Sequence, residues 1–421
     1  MHYFDYKATK LYGEGVSIER IAKEVGTPVF IYSHKTLVRH YNAFDSAFKD
    51  ASHIICYSVK ANSNLSVLKT FSNLGSGFDI VSGGELKRVI KAGGDPTKVV
   101  FSGVGKSEEE IAFAIKKRIL LFNVESPQEL RLLNKVAVRL KTRARVALRV
   151  NPDVDPKTHP YISTGLKQNK FGIETEEAVG EYLYAQKRLK SLDMIGIDCH
   201  IGSQITTLKP FVDTLKKIKA LTTRLRTLGV DISYVNMGGG LGITYDNEKA
   251  PHPSKYGEAV LKATRGLDVT LIFEPGRNLV GNAGILVTKV LYTKKGADKN
   301  FIITDAAMND LPRPSLYDSY HAIKPVTKTR RREITADVVG PICESGDFLA
   351  RDRELKEVRP GELLSVMSAG AYCFTMSSNY NTRTRAAEVM VKGRNLFVIR
   401  EREKHEELFK KESMPEKLFK K

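Results

Sequence analysis

A lysine that follows a buried strand is the first feature of the sequence that suggests chemistry. Lys60 stands in the segment Tyr57-Ser-Val-Lys60-Ala-Asn62, at the end of an apolar run over 54–59. A lysine at the end of a buried strand is costly unless it is paired, deprotonated or covalently used. Its chemical use would be a Schiff base with an aldehyde cofactor or a carbonyl substrate. The alternative is a solvated lysine at a strand end, which is the commoner case for any single lysine.

Two loops with groups suited to anion binding follow later apolar runs. Gly238, Gly239 and Gly240 are consecutive, and such glycines let backbone N–H groups approach phosphate oxygens. Their spacing fits neither the dinucleotide-binding fingerprint nor the Walker loop, so a tight turn stays open as an alternative. In the turn Glu274-Pro275-Gly276-Arg277, the arginine could grip a phosphate or carboxylate and the glutamate could keep a pyridine nitrogen protonated. The alternative here is an ordinary surface ion pair.

Further candidates carry an imidazole, a thiol and hydroxyl groups. His200, in the segment 198–204, could stack on a planar ring or act as a base, although a lone histidine is more often structural. No second histidine lies at ligand spacing, so we do not expect a metal site. Cys343 stands in a Pro-initiated turn before Glu344, where a thiol could donate a proton; a small buried cysteine is the alternative. A phosphate contact, an anion grip and further hydroxyl groups could come from Ser203, Arg313, Tyr317 and Tyr372.

The elements that must position these residues alternate between strands and helices. Helical spacing, as in 126–140 and 208–228, separates short apolar runs that are rich in β-branched residues. There are eight such runs, over 54–59, 77–81, 98–102, 120–124, 144–150, 194–199, 232–237 and 269–273. Eight β/α units in succession predict a closed (β/α)8 barrel of the TIM type rather than an open sheet.

Polar residues follow these runs with a regular phase. Lys60, Asp79, His200 and the two loops at 238–240 and 274–277 all come at or just after a predicted strand end. The carboxyl ends of the strands form the active-site face of an α/β barrel, and phosphate often binds after the seventh and eighth strands. The glycine loop and the 274–277 turn follow these two strands, so the sequence predicts one site at this face.

The pattern changes from about residue 284, where helical spacing largely disappears. Gly and Pro clusters separate strand candidates over 285–292, 300–304, 334–339, 362–366 and 386–391. These predict an all-β C-terminal domain, sandwich-like or barrel-like. We expect a cofactor-binding barrel over 28–283 and a β domain over 284–421, with the N-terminal segment 1–27 packed on the latter.

Composition excludes several broad classes. With 421 residues, 42% of them hydrophobic and 27% charged, the chain is not disordered as a whole. Its four cysteines form no C-x-x-C pair, which argues against a disulfide framework or a zinc ribbon. The N-terminus shows no secretory pattern and no stretch is long and apolar enough to span a membrane, so we expect a cytoplasmic protein. The net charge of +19 is scattered without a nucleic-acid-binding motif, and an anionic substrate or cofactor fits it equally well.

Taken together, the motifs resemble one family. YSVKAN, HIGSQ, GGGLG, EPGR, DLPRPSLYDSYH, PICESGD and AGAY stand in this order between about Gly15 and Glu403. The set is similar to the diaminopimelate decarboxylases, enzymes of the alanine-racemase-like fold group that use pyridoxal 5'-phosphate. The resemblance implies a barrel followed by a β domain, as the patterning predicts independently. It also implies decarboxylation of meso-2,6-diaminopimelate to L-lysine and CO2, the last step of lysine biosynthesis.

The resemblance also implies roles for the motif residues. Lys60 would hold the cofactor covalently, His200 would stack on its ring, Glu274 would bond to the ring nitrogen, and Asp79 matches a family acid near the cofactor. Cys343 would be the catalytic acid, supplied by the partner subunit of a head-to-tail homodimer whose active sites are shared across the interface. The cofactor phosphate would be surrounded by Ser203, Gly238, Gly239, Gly240, the turn Glu274-Pro275-Gly276-Arg277 and Tyr372. The substrate would be held by Arg277, Arg313, Tyr317, Glu344 and Tyr372.

Other functions fit less of the sequence. A decarboxylase of the same fold group acting on ornithine, arginine or carboxynorspermidine is the nearest alternative, but the Arg277 and Arg313 pair with Glu344 favours a diacid with a second ammonium group. A racemase would carry an arginine where Glu274 meets the ring nitrogen. A non-catalytic cofactor carrier would have no use for the β domain, and salt-dependent retention on DNA would test a nucleic-acid-binding role.

Overall fold

The computed structural model describes residues 2–154 and 170–420, and the chain divides into two compact units. One unit comprises Thr36–Asn282, and the other comprises Met1–Lys35 together with Ala283–Lys421. In chain order the strands are β1 Phe4–Lys7, β2 Lys10–Gly13, β3 Val16–Ser17, β4 Val29–Ser33, β5 His53–Ser58, β6 Gly77–Ile80, β7 Val99–Phe101, β8 Leu121–Val124, β9 Ala144–Asn151, β10 Ile173–Glu174, β11 Leu192–Asp198, β12 Tyr234–Asn236, β13 Thr270–Phe273, β14 Gly284–Lys295, β15 Asn300–Thr304, β16 Ile323–Pro325, β17 Glu333–Val339, β18 Phe348–Lys356, β19 Leu363–Val366, β20 Ala387–Lys392 and β21 Asn395–Arg400.

The helices lie mostly in the first unit, between successive strands. They are α1 Ile18–Val25, α2 His34–Asp45, α3 Leu65–Asn73, α4 Gly83–Lys91, α5 Glu108–Lys116, α6 Pro127–Arg139, α7 Thr175–Arg188, α8 Lys209–Thr227, α9 Pro253–Thr264, α10 Arg277–Val280, α11 Arg313–Tyr317, α12 His405–Phe409 and α13 Glu416–Phe419.

The unit 36–282 is a closed parallel barrel. Its strands follow one another around the barrel in the order β5, β6, β7, β8, β9, β11, β12 and β13, and β13 pairs with β5 to close the ring. The short strand β10 adds to β9 in parallel. All eight runs that the sequence pattern marked as strands are strands of this barrel, so the predicted TIM-type fold is confirmed.

Local sequence explains where the barrel helices begin. Ser82, Ser107 and Ser126 each accept a hydrogen bond from a backbone N–H of the first turn of α4, α5 and α6. At α5 the side chain of Glu110 returns the bond to the backbone of Ser107, which completes a capping box. Because these caps stand only a few residues past the strand ends, they keep the loops above β6, β7 and β8 short. An apolar cluster fills part of the barrel: Cys56, Val100, Leu120, Leu121, Ala147 and Ile272.

The second unit is built on a mixed sheet in the order β18, β17, β15, β14, β4, β20 and β21, with β19 pairing both β14 and β16. A small antiparallel sheet of β1, β2 and β3 belongs to the same unit. The predicted all-β C-terminal domain is therefore confirmed as a class. The tail beyond β21 carries the two short, largely exposed helices α12 and α13.

One boundary differs from the expectation. Strand β4 lies in the β unit, where it pairs with β14 and β20, whereas the sequence pattern grouped residues 28–35 with the barrel. Its alternate residues enter two hydrophobic clusters, Phe30 and Tyr32 in one and Val29 and Ile31 in the other. A strand that is buried on both faces reads as a continuous apolar run, which is also the signature of a barrel strand. Sequence alone could not distinguish these two environments.

Candidate active site

The amine of Lys60 lies beside a buried carboxylate. Strand β5 ends at Ser58, and the chain then makes a 3-10 turn over Val59–Ala61 that carries Lys60. Lys60 Nζ donates to Asp79 Oδ2 at 2.6 Å, and the Ser58 hydroxyl lies 2.8 Å from the same oxygen. Asp79 is fully buried, whereas the Lys60 side chain is 38% exposed. The barrel thus fixes the carboxylate and presents the lysine amine at its mouth.

A second buried carboxyl group, Glu274, directly follows β13. Its Oε1 accepts hydrogen bonds from Asn236 Nδ2 at 2.6 Å and from Asn123 Nδ2 at 3.0 Å. The Ser102 hydroxyl lies 3.5 Å from the same oxygen. These donors stand on or directly after β12, β8 and β7, so strands from several parts of the barrel hold one carboxyl group.

Burial decides the protonation of this carboxyl group. Desolvation, reinforced by the negative charge of Asp79, raises the pKa of Glu274 from 4.5 to about 7, although Lys60 and the Asn236 hydrogen bond act in the opposite direction. Asp198, at the end of β11, is also buried, and desolvation together with Glu274 raises its pKa well above its usual range. Glu274 can therefore hold or release a proton near neutral pH, which suits a hydrogen bond with a group that itself carries a proton.

His200 and the glycine loop come together above β11 and β12. The Gly239 N–H lies 3.2 Å from His200 Nδ1, and since that N–H can only donate, Nδ1 is the acceptor. Burial, together with the charges of Arg149 and Lys60, lowers the pKa of His200 well below 6.5, so its ring is neutral at pH 7. A neutral imidazole in a fixed orientation is suited to stacking on a planar ring.

The glycine loop leaves no room for side chains. A Cβ at Gly239 would lie 2.4 Å from the Glu274 carbonyl oxygen, and one at Gly240 would lie 2.4 Å from the Gly202 carbonyl oxygen. Gly238 and Gly240 also have φ of +61° and +104°, which favour glycine. Three strand-end loops therefore meet backbone to backbone, as a phosphate cradle of N–H groups requires.

Replacing Gly239 should damage the site specifically. In Gly239→Ala the new Cβ would push against backbone, so we expect a loss of about 1–3 kcal/mol in the free energy of unfolding and weaker cofactor binding. Gly180→Ala is the matched control, because Gly180 is exposed within α7 and its Cβ would meet nothing within 4 Å. The control should gain about 0.5–1 kcal/mol. Chemical denaturation and cofactor titration measure both effects, and equal behaviour of the two variants would contradict the close packing of the loop.

Arg277 begins α10 and is buried. Its Nη1 donates to the Tyr245 hydroxyl at 2.7 Å. Because Arg277 and Glu274 are both buried, they do not form the surface ion pair that the sequence left open. Ser203 lies between His200 and Gln204. The side chain of Gln204 donates from Nε2 to the Ile243 carbonyl oxygen at 2.6 Å, just after the glycine loop. Pro275 O accepts from the Ser58 N–H at 3.2 Å, and Gly276 precedes the helix.

The other predicted substrate and acid residues belong to the β unit. Arg313 is buried at the start of α11, with Nη1 2.9 Å from His321 Nε2. Cys343 and Glu344 are exposed in a turn, and the Cys343 N–H donates to Asn381 Oδ1 at 3.0 Å. Tyr317 ends α11, and Tyr372 has a φ of +58°. Their roles stay predictions.

Several residues that build the site did not stand out in the sequence. Asn123 and Arg149 lie inside apolar strands, and Asn236 and Asp198 are the last residues of two others. Arg149 Nη1 is 2.8 Å from Glu125 Oε1, and both side chains are buried. A polar residue inside an otherwise apolar barrel strand is the signal that could have identified them.

Comparison with known proteins decides the family. The model of the pyridoxal-dependent decarboxylase, pyridoxal binding domain, matches residues 34–281. Diaminopimelate decarboxylase from Vibrio cholerae is 53% identical over 416 residues, which cover 98% of this chain and 99% of that protein. The chain belongs to the diaminopimelate decarboxylase family.

Other members of the diaminopimelate decarboxylase family agree in sequence and in structure. The Pseudomonas aeruginosa enzyme is 51% identical over 98% of this chain and 99% of its own length. The crystal structure of diaminopimelate decarboxylase from Helicobacter pylori complexed with L-lysine has a TM-score of 0.90 at 43% identity, covering 93% of this chain and 98% of that chain. The chain is accordingly a pyridoxal-phosphate-dependent decarboxylase.

The barrel residues fit this cofactor. The accessible Lys60 amine suits the aldehyde of the cofactor, and Glu274 suits its ring nitrogen. Gly238 and Gly239 donate their N–H groups to Asn236 Oδ1 and His200 Nδ1, which leaves the N–H of Gly240 for the phosphate. Asp79 Oδ1 is buried with no hydrogen-bond partner among the described residues, so this oxygen can accept a further hydrogen bond beside Lys60. When bound, pyridoxal phosphate supplies an electron sink for the bond that breaks at the substrate Cα.

Proposed function

We propose that the enzyme removes one carboxylate from meso-2,6-diaminopimelate as CO2 and leaves L-lysine, the last step of lysine biosynthesis. The observation that carries this proposal is the match, over nearly its whole length, to diaminopimelate decarboxylases at 53% identity. The geometry of the barrel supports the same chemistry, since it places a lysine amine and a buried carboxyl group at one face. We further propose that the reaction takes place in the cytoplasm.

The barrel residues would hold the cofactor and keep its ring nitrogen protonated. Lys60 would hold the cofactor through Nζ, and Asp79 would keep that amine in place through Oδ2. Glu274 would face the ring nitrogen and stabilise its protonated form. His200 would cover one face of the ring, and Ser203, Gly238 to Gly240, the 274–277 turn and Tyr372 would surround the phosphate.

Substrate selection would depend on charge. The distal end of meso-diaminopimelate carries a carboxylate and an ammonium group, for which we propose Arg277 and Arg313 as partners of the former and Glu344 as partner of the latter. Tyr317 and Tyr372 would add hydroxyl groups. A substrate that lacks the second carboxylate would leave a buried arginine without its anion, and such losses discriminate strongly.

A panel of amino acids tests this choice. The cofactor-loaded enzyme should release CO2 from meso-diaminopimelate at a rate far above that for ornithine, arginine or carboxynorspermidine. Equal or faster release from one of these three would replace the proposed substrate by that amino acid while leaving the cofactor chemistry intact.

Cys343 is our proposed proton donor to Cα, and we propose that it acts in the active site of the partner in a homodimer. Its exposure in a turn, next to the exposed Glu344, supports a role toward another subunit. The arrangement requires that mixed dimers of a Lys60 variant and a Cys343 variant regain activity. Sedimentation of the wild type as a monomer at working concentrations would rule it out.

Cys343→Ala should retain the cofactor and slow turnover by about 10²-fold or more, because a positioned acid typically contributes that much. Ser345→Ala, two residues along the same turn, is the control and should keep wild-type turnover. The measurement is kcat for lysine release at saturating substrate, with the cofactor content read from the visible spectrum. Full activity of the alanine variant would exclude Cys343 as the acid.

A further inference from the structure

We infer that Asn236 and Asn123 are positioning residues for Glu274: their side-chain amides hold one carboxyl oxygen from two sides of the barrel and so direct the other toward the ring nitrogen of the cofactor. The inference rests on the proposed function, because that function makes the ring nitrogen the partner of Glu274. It concerns two residues outside the motifs that first identified the site: Asn123 lies inside β8, and Asn236 is the last residue of β12.

Asn236 can present only its amide nitrogen to Glu274. Its Oδ1 accepts a hydrogen bond from the Gly238 N–H at 2.9 Å, and a backbone N–H cannot accept in return. The orientation of the amide is therefore fixed, and Nδ2 faces Glu274 Oε1 at 2.6 Å. One side chain thus ties the carboxyl group to the first glycine of the phosphate cradle.

Asn123 reaches the same oxygen from the opposite wall. Strand β8 lies four strands from β13 around the eight-stranded barrel, yet Asn123 Nδ2 is 3.0 Å from Glu274 Oε1. The same Nδ2 lies 2.9 Å from the Ser102 hydroxyl oxygen. The backbone is held as well, because the buried Lys106 donates to the Asn123 carbonyl oxygen at 2.7 Å.

The donors are neutral, and they meet a single oxygen. Among the described residues, the hydrogen bonds to the Glu274 carboxyl group come from asparagine and serine side chains and all end at Oε1. A neutral amide fixes the position of an oxygen without the full positive charge that would hold the group permanently ionised. The amides set where the carboxyl group points, and the Asn236 hydrogen bond also lowers the pKa of Glu274.

The electrostatic surroundings of Glu274 matter for any test by pH. The ionisable groups that act on it come from the strands around it and are Lys60, Asp79, Arg149, Asp198 and the thiols of Cys56 and Cys199. None of these changes in a variant of Asn236 or Asn123. A shift of the pH profile in such a variant can then be traced to the substituted position.

The experiment compares Asn236→Ala, Asn123→Ala and Asn236→Asp with the wild type, each loaded with pyridoxal phosphate. We expect both alanine variants to lower kcat by about 10²-fold with little change in KM for meso-diaminopimelate, since a misplaced group costs rate rather than substrate affinity. We also expect the dissociation constant of pyridoxal phosphate, from a fluorescence titration, to rise severalfold. Thr222→Ala is the control for lost stability, because Thr222 is buried in α8 and donates to the Ile218 carbonyl oxygen at 2.8 Å.

The aspartate variant provides a readout that a merely structural role would not move. Asp at position 236 would place a second carboxylate beside Glu274 Oε1, and like charges raise each other's pKa values. The acidic limb of the kcat profile should therefore move to higher pH in Asn236→Ala, which loses a hydrogen bond that lowers the pKa of Glu274, and should move further in Asn236→Asp. If Asn236→Asp and Asn236→Ala only unfold at a lower temperature, as Thr222→Ala should, and keep the wild-type kcat and cofactor affinity, the inference is wrong.

Failure of the inference can be told from failure of the proposed function. A wild type that binds pyridoxal phosphate but does not turn over meso-diaminopimelate would overturn the substrate. The cofactor titration would still report on the two amides, because it needs no substrate.

Discussion

Lys60→Ala should abolish turnover almost completely, with a loss of about 10⁴-fold or more, because in the proposed function this lysine both holds the cofactor and orders it for reaction. Lys60 is the amine at the mouth of the barrel, held 2.6 Å from Asp79 Oδ2. Without this amine the cofactor has no covalent attachment, so we also expect weaker cofactor retention. The measurements are lysine release and, after borohydride treatment, the mass of the peptide that contains residue 60.

Lys98→Ala is the matched control for this change. Lys98 is exposed just before β7, at the opposite end of the barrel, and donates to the Gly75 carbonyl oxygen at 3.2 Å. Its variant should keep the wild-type rate and the borohydride-fixed cofactor. Cofactor fixed at a lysine other than Lys60 in the wild type would contradict the assignment.

Glu274→Gln should be the second most damaging change, with a loss of kcat on the order of 10³-fold. Glutamine is nearly isosteric and can keep the hydrogen bonds from Asn236 and Asn123 at its oxygen. Its amide cannot balance the positive charge of a protonated ring nitrogen, so the electron sink is weakened. The measurement is kcat at saturating substrate, and a rate within tenfold of the wild type would remove Glu274 from the reaction.

The same variant tests the raised pKa of Glu274 without any cofactor. Because the folded-state pKa is about 7 and the ordinary value is 4.5, the folded protein binds more protons between these values than the unfolded chain. The carboxyl group therefore contributes stability that is fully present below pH 4.5 and is lost as the pH rises through 7. Between pH 5 and pH 8 the free energy of unfolding of the cofactor-free wild type should fall relative to that of Glu274→Gln, by up to about 3 kcal/mol. Parallel curves would contradict the raised pKa.

The sequence was most informative where candidate reactive residues recur directly after predicted strands. The eight barrel strands could be predicted because buried parallel strands form continuous apolar runs, and Lys60 and Glu274 stood out because they follow such runs. The same rule failed for β4, since Val29–Ser33 is equally apolar but pairs with β14 and β20. Only pairing between residues far apart in the chain distinguishes these two cases.

The supporting residues of the site were harder to find for a related reason. Asn123 and Asn236 act through a carboxyl group that comes more than 30 residues later in the chain, and nothing in their local sequence indicates that partner. The pKa values of Glu274 and His200 likewise depend on burial and on charges that only the closed barrel brings near. Motifs thus suggested the groups for which we propose chemical roles, whereas the fold was needed to show what holds them.

The reaction itself is the most direct test of the account. Purified enzyme loaded with pyridoxal phosphate is given meso-diaminopimelate in D2O, and CO2 and lysine are quantified by mass spectrometry. We predict one CO2 for each L-lysine, with a single deuterium at the lysine Cε, because the carbon that loses its carboxylate becomes Cε and one proton from solvent takes the place of the broken C–C bond. Release of no CO2 by folded enzyme that has bound the cofactor would contradict the proposed function.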